Sequence, residues 1–198
     1  MEVFVVRHIV VILGHPVSGS LCEGMARAYA EGAQRAGAQV RFLDVGALDF
    51  NPSLHAGYGQ ALEPALQAAQ ADITWAHHLV WVYPIWWGAM PAVLKGFIDR
   101  VFLPGYAFKY RKGSSLWDRL LAGRSAELLV TMDSPPWYFR WVTRMPGHHQ
   151  MKKAILEFCG IRPVKVHSFG PVRTASPERL KQWLARARQL GERGGAPG

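Results

Sequence analysis

Cysteine is scarce in this chain: Cys22 and Cys159 are the only two in 198 residues, and they form no C-x-x-C pair. That count excludes a disulfide framework and leads us to expect a reducing, cytoplasmic setting. Charged residues make up only 19% of the chain against 49% hydrophobic, which excludes a disordered polymer. No run reaches the ~18 consecutive apolar residues of a membrane span, so no membrane insertion is expected. The apolar start is broken by Arg7 and His8 and is followed by no small-residue cleavage site, so it does not read as a signal peptide. Also missing are G-x-G-x-x-G and G-x-x-x-x-G-K-[ST], the two commonest nucleotide-binding fingerprints. The pairs His77-His78 and His148-His149 lack carboxylate or thiol neighbours at metal spacing, so no metal site is expected.

What is abundant is tryptophan, with eight residues, and positive charge, with a net of +9. The charge is uneven: residues 1–100 carry six basic and eight acidic groups, and residues 101–198 carry seventeen and six. Such a split fits an anionic partner or a solvated basic face. No nucleic-acid recognition motif accompanies it, so nucleic acid is not expected as a partner.

The length suits one domain, expected over residues 8–190, with an extension over 1–7 and a flexible tail over 191–198. Five short apolar runs read as strands: His8–Leu13, Val40–Val45, Leu79–Tyr83, Ala126–Thr131 and Val164–Phe169. Between and after them lie helical stretches at Leu21–Ala36, Ala61–Ala71, Pro91–Phe102 and Gln150–Cys159, and a last helix capped by Ser176 with Pro177 at its first position. Residues 103–123 read as irregular. Continuous β-branched runs alternating with helices predict an α/β fold with a parallel sheet covered on both faces. Ligands of such sheets bind outside the carboxyl ends of the strands, which selects the loops after Leu13, Tyr83 and Thr131.

The first loop, Gly14 to Cys22, runs straight into a helix. Its backbone N–H groups, with the hydroxyls of Ser18 and Ser20, suit a monophosphate. The second, Tyr83-Pro-Ile-Trp-Trp-Gly-Ala-Met-Pro91, sets two adjacent Trp at a strand end, where a flat heteroaromatic ring would explain them. The third, Thr131 to Trp141, adds hydroxyls and more aromatics, including Trp137 and Trp141. A phosphate site, a stacking site and an aromatic wall at one sheet edge describe a flavin mononucleotide pocket.

These residues carry a resemblance. Pro84-Ile-Trp-Trp-Gly-Ala-Met-Pro-Ala-Val-Leu-Lys-Gly-Phe-Ile-Asp-Arg-Val-Phe102 is similar to the signature of the flavodoxin-like NAD(P)H:quinone oxidoreductases, the DT-diaphorase family. His15-Pro16 with Ser18 to Cys22, Gly105 to Tyr110, and Phe158-Cys-Gly-Ile161 resemble further segments of that family. The resemblance implies a flavodoxin-like three-layer sandwich with a five-stranded parallel sheet, FMN (or alternatively FAD) as cofactor, NAD(P)H as reductant and a quinone as acceptor. It implies that His15, Ser18, Ser20, Leu21 and Cys22 hold the phosphate. Pro84, Ile85, Trp86, Trp87 and Gly88 would line the ring, with Thr131, Met132, Asp133 and Ser134 at its other edge. Phe108 and Tyr110 would face the quinone across a homodimer interface. Tyr138 and His148 (or His149) are the nearest candidates for a proton donor, although their spacing does not align with that of relatives. The chain also departs from the family at Asp133-Ser134-Pro135-Pro136, where relatives often carry a glycine pair. Two other roles known among flavodoxin-like proteins are a regulatory subunit of potassium-efflux systems and a flavin electron carrier. Carriers are typically acidic, and a net charge of +9 argues against that role.

Overall fold

The computed structural model describes residues 6–135 and 137–196. Five parallel strands, β1 (His8–Leu13), β2 (Gln39–Asp44), β3 (His78–Pro84), β6 (Ser125–Thr131) and β7 (Val164–Phe169), form one sheet in the order β2-β1-β3-β6-β7. The chain winds outward from β1 to one edge, then returns through β3 to the other edge. This puts the topological switch point between β1 and β3.

Alternation along the strands divides the core into two layers. Val10 and Ile12 of β1, Leu79 and Trp81 of β3, and Leu128 and Val130 of β6 pack on one face. They meet α2 (Pro64–Trp75), α3 (Ala92–Val101) and the segment around Met151 and Leu156. Ile9, Val11, Leu13, Val80, Val82 and Leu129 point the other way, onto α1 (Leu21–Arg35) and α5 (Pro177–Gly195). Because side chains alternate with period two, a one-residue slip in β1 or β3 would exchange both layers, so the register is firmly specified.

Local signals set the helix limits. Ser20 Oγ accepts from Glu23 N at 3.2 Å to start α1. Gly37, at φ +93°, ends it: Ala38 N donates to Ala33 O and Gly37 N to Gln34 O, the paired bonds of a Schellman motif. Ser176 caps α5, its Oγ accepting from Arg179 N.

Several expectations are corrected. The helix read as Ala61–Ala71 starts at Pro64, which fits the first helical turn, and runs to Trp75. Residues 103–123 contain an antiparallel hairpin of β4 (Phe108–Tyr110) and β5 (Trp117–Arg119), strands too short to show a period. The helix expected from Gln150 begins earlier as α4 (Pro146–His149) and continues as a π-helical stretch, Gln150–Glu157. The expected tail is helical through Gly195, because Gly191, Gly194 and Gly195 are buried on α1. A Cβ on Gly191 would collide with the carbonyl of Tyr29, so the two helices approach backbone to backbone. Residues 1–5 of the expected extension and 197–198 of the tail lie outside the described residues. Among the described residues no helix is long and apolar enough to cross a membrane.

Candidate functional site

An open cleft of about 200 Å³ lies at the carboxyl ends of β1, β3 and β6. Nine of the residues singled out from the sequence line it: His15, Leu21, Cys22, Pro84, Ile85, Trp86, Thr131, Met132 and Asp133. Three loops distant in sequence therefore meet at one place.

The loop after β1 supplies donors. Leu21 and Cys22 open α1, where helical N–H groups have no carbonyl below them. His15 Nδ1 accepts from Val17 N at 3.0 Å, which leaves the neutral ring's proton on Nε2 as a further donor. Partial burial lowers the His15 pKa, so the ring is neutral at neutral pH. The N–H of Gly19 is already taken by the Glu23 carboxylate at 2.6 Å. No lysine or arginine stands between Gly14 and Cys22.

The loop after β3 is a tight turn. Trp86 N donates to Ala89 O and Ala89 N to Trp86 O, at 2.8 and 3.0 Å. Trp87 and Gly88 between them have φ of +51° and +78°, positive at both central positions as in a type I′ turn. Trp86 turns its ring edge to His15, 5.5 Å between centroids, whereas Trp87 is fully exposed. A bulky residue held at positive φ is strained, and such strain concentrates at ligand-binding positions. The turn rests on α4: a Cβ at Gly147 would press on Gly88 O and Ile85 Cδ1.

The loop after β6 is braced from behind. Met132 N donates to Phe169 O, Val172 N to Met132 O, and Arg173 N to Asp133 Oδ1. This brings Val172 into the cleft wall. Sequence reasoning missed Val172; Gly170-Pro171 marks a turn after β7, but its sequence does not say which loop that turn supports.

The remaining candidates lie elsewhere. Ser18, Ser20, Trp87, Gly88 and Ser134 stand beside the cleft in sequence but do not line it. Tyr138 is exposed on a π-helical turn, Tyr138–Val142, with its ring edge-on to Trp137. Trp137 and Trp141 are exposed too and are not among the residues that line the cleft. His148 is buried, its Nε2 2.9 Å from Ser168 Oγ and its ring against Phe139, and burial pushes its pKa down to about 4. It is thus turned to β7 and lies outside the cleft lining. Phe108 and Tyr110 pack edge to face in a second groove of about 280 Å³, with Tyr58, Asp99 and Phe158. Among the described residues no group of three or more His, Cys, Asp or Glu is placed to hold a metal ion.

A five-stranded parallel sheet of this order, with a donor-rich helix start and an aromatic turn at its switch point, defines a flavodoxin-like protein. The sequence matches the family described by the flavodoxin-like fold over residues 7–190, and the chain belongs to that family. It is 29% identical over 187 residues to an uncharacterized NAD(P)H oxidoreductase of Haemophilus influenzae, covering 90% of this chain and 91% of that one. It is 26% identical over 201 residues to rat NAD(P)H dehydrogenase [quinone] 1, covering 83% and 70% respectively. Among solved structures, an FMN-dependent NADH-azoreductase of Bacillus anthracis in complex with FMN shares the fold, with a TM-score of 0.70 and 19% identity over 94% of this chain and 98% of that one.

Proposed function

We propose that this protein is an NAD(P)H oxidoreductase that holds FMN in the cleft and passes two electrons to a quinone. The observation that carries this reading is the pairing, in one cleft, of a cation-free helix start with the aromatic turn at Trp86. A helix N-terminus with hydroxyls and no lysine suits one phosphate better than two, which favours the mononucleotide over FAD.

The residues present fit that group. The N–H groups of Leu21 and Cys22, His15 Nε2 and the hydroxyls of Ser18 and Ser20 would hold the phosphate. The turn engages the N–H of Ile85 with Thr131 O and that of Trp86 with Ala89 O, which leaves those of Trp87 and Gly88 for the polar edge of a ring. Bound there, a flavin supplies a ring that takes up and releases hydride; the protein's part is to orient it and keep one face open. NAD(P)H and the quinone would use that face in turn, a ping-pong order.

Phe108 and Tyr110 line a groove separate from the cleft of their own chain. If they contact quinone as proposed, a second copy would have to bring them to the cleft, as in a homodimer. The protein would act in the cytoplasm. Titration of the purified chain with FMN, followed by turnover with NADH, NADPH and a naphthoquinone, tests the proposal. Saturable FMN binding and quinone-dependent NAD(P)H oxidation are expected; failure to bind FMN would refute it.

A further inference from the structure

At the opposite pole of the sheet, about 20 Å from the cleft along β6, lies a cavity of about 310 Å³. Arg7, Lys165, Arg186 and Arg193 line it, four cations against the single carboxylate of Glu127. Arg7 precedes β1, Lys165 lies on β7, and Arg186 and Arg193 sit two turns apart on α5. Six arginines elsewhere, Arg27, Arg41, Arg100, Arg111, Arg162 and Arg188, have a carboxylate within 4 Å, Arg124 is bonded to the carbonyls of Ile73 and Thr74, and the other arginines outside the cavity are exposed. Among the described residues, Arg7 and Arg186 are half-buried and have no carboxylate partner. Lys165 and Arg193 are exposed and Arg7 and Arg186 only partly so; four like charges around one cavity repel one another, and an anion seated there would relieve that repulsion.

The floor is built from a chain of hydrogen bonds. Tyr29 Oη donates to Glu127 Oε2 at 3.1 Å, so the phenol oxygen must accept from His78 Nε2, 3.3 Å away. His78 Nδ1 is then an acceptor, and Ser125 Oγ donates to it at 2.7 Å. Ser125 Oγ in turn accepts from Arg7 at 3.4 Å. Every proton in this chain has one place, so Glu127 is engaged from within by Tyr29, with His167 Nε2 3.9 Å from its other oxygen. The cations at the rim are left for an outside group.

We infer that this cavity binds a small anion carrying two or more phosphate charges, at a site separate from the flavin cleft. Its volume is at the lower end for small-ligand pockets, and four cations exceed what one phosphate needs. The excess of positive charge in residues 101–198 is thereby partly explained, since three of the four cations come from that half.

Calorimetric titration of the full chain with inorganic pyrophosphate, with and without saturating FMN, tests the inference. Saturable one-to-one binding that FMN does not displace is expected. The double variant Arg186→Gln/Arg193→Gln should weaken it about tenfold or more, and Arg140→Gln, beside Trp141, should not change it. Should the double variant fail to fold, Lys165→Gln on the exposed face of β7 gives the same reading with a smaller loss. Binding that is displaced by FMN, unchanged in these variants, lost in Arg140→Gln or absent up to about 10 mM pyrophosphate would overturn it, as would binding of nucleic acid or acidic protein alone at this face. The reading of the cleft survives any of these results, because it is tested by FMN alone.

Discussion

Cys22 Sγ lies 3.2 Å from Thr131 Oγ1, a bond between residues 109 apart in sequence. It ties the first turn of α1 to the end of β6, so two walls of the cleft are held as one unit. Burial pushes the Cys22 thiol up to about 11, despite the Thr131 hydroxyl, and the Cys159 thiol up to about 12. Both are therefore protonated and inert at neutral pH. Iodoacetamide at pH 8 should label neither in the folded protein and both after denaturation. Cys22→Ser, which keeps a hydrogen-bonding group opposite Thr131, should leave FMN affinity unchanged. Rapid labelling of folded Cys22 would contradict this.

Trp87 combines full exposure with φ of +51°. Holding a non-glycine residue there costs about 1–2 kcal/mol. Trp87→Gly should therefore raise Tm by a few degrees while FMN affinity falls, because on the proposed reading its exposed ring would stack on the flavin. A thermal melt and an FMN titration on the same variant check both signs. Unchanged affinity would remove Trp87 from the binding site.

Arg100 is fully buried, yet it joins Asn51 O, Ala61 O and both oxygens of Glu63 at 2.6–3.1 Å. It fastens the long connection between β2 and α2 onto α3. Removing one partner of such a pair strands the rest, so Arg100→Leu should cost about 3–5 kcal/mol. The hydrogen bonds from Arg100 hold the Glu63 carboxyl down at about 2, from its ordinary 4.5. A depressed carboxyl stabilises the fold above 4.5, and that contribution is lost as pH falls toward 2. Glu63→Gln should lower Tm at pH 6 and flatten its decline between pH 5 and 3.

His78 and His148 are both pushed down by burial to about 4, from an ordinary 6.5. Unfolded chains bind protons on these residues first, so stability is present above pH 6.5 and falls as pH drops toward 4. His148→Gln should remove part of that slope in thermal melts. It should leave the pH profile of kcat/KM between 6 and 8 unchanged, since neutral His148 faces Ser168. A lost inflection in that range would instead make His148 a proton donor.

Much of this was legible in the sequence, for physical reasons that also explain the gaps. Runs such as His8–Leu13 and Leu79–Tyr83 are buried on both faces, and the cap at Ser176 acts locally. Parallel topology then identifies the strand ends that meet, and within those loops the family resemblance named nine residues that line the cleft. Contacts set by distant elements were not legible. Val172 enters the cleft through a bond to Met132, and the glycines after Leu190 stay helical only because Tyr29 and Ala33 lie against them. Trp137 and Trp141 look like core or wall residues by type, but a π-helical turn carries them outward.

The proposed function requires one cleft that takes electrons from NAD(P)H and passes them to a quinone. Anaerobic addition of NADH or NADPH to the FMN-reconstituted protein, then of a naphthoquinone, tests it most directly. Loss of the yellow absorbance on the first addition and its full return on the second is predicted. Protein that takes up no FMN, or stays yellow with both nicotinamides, would refute that function.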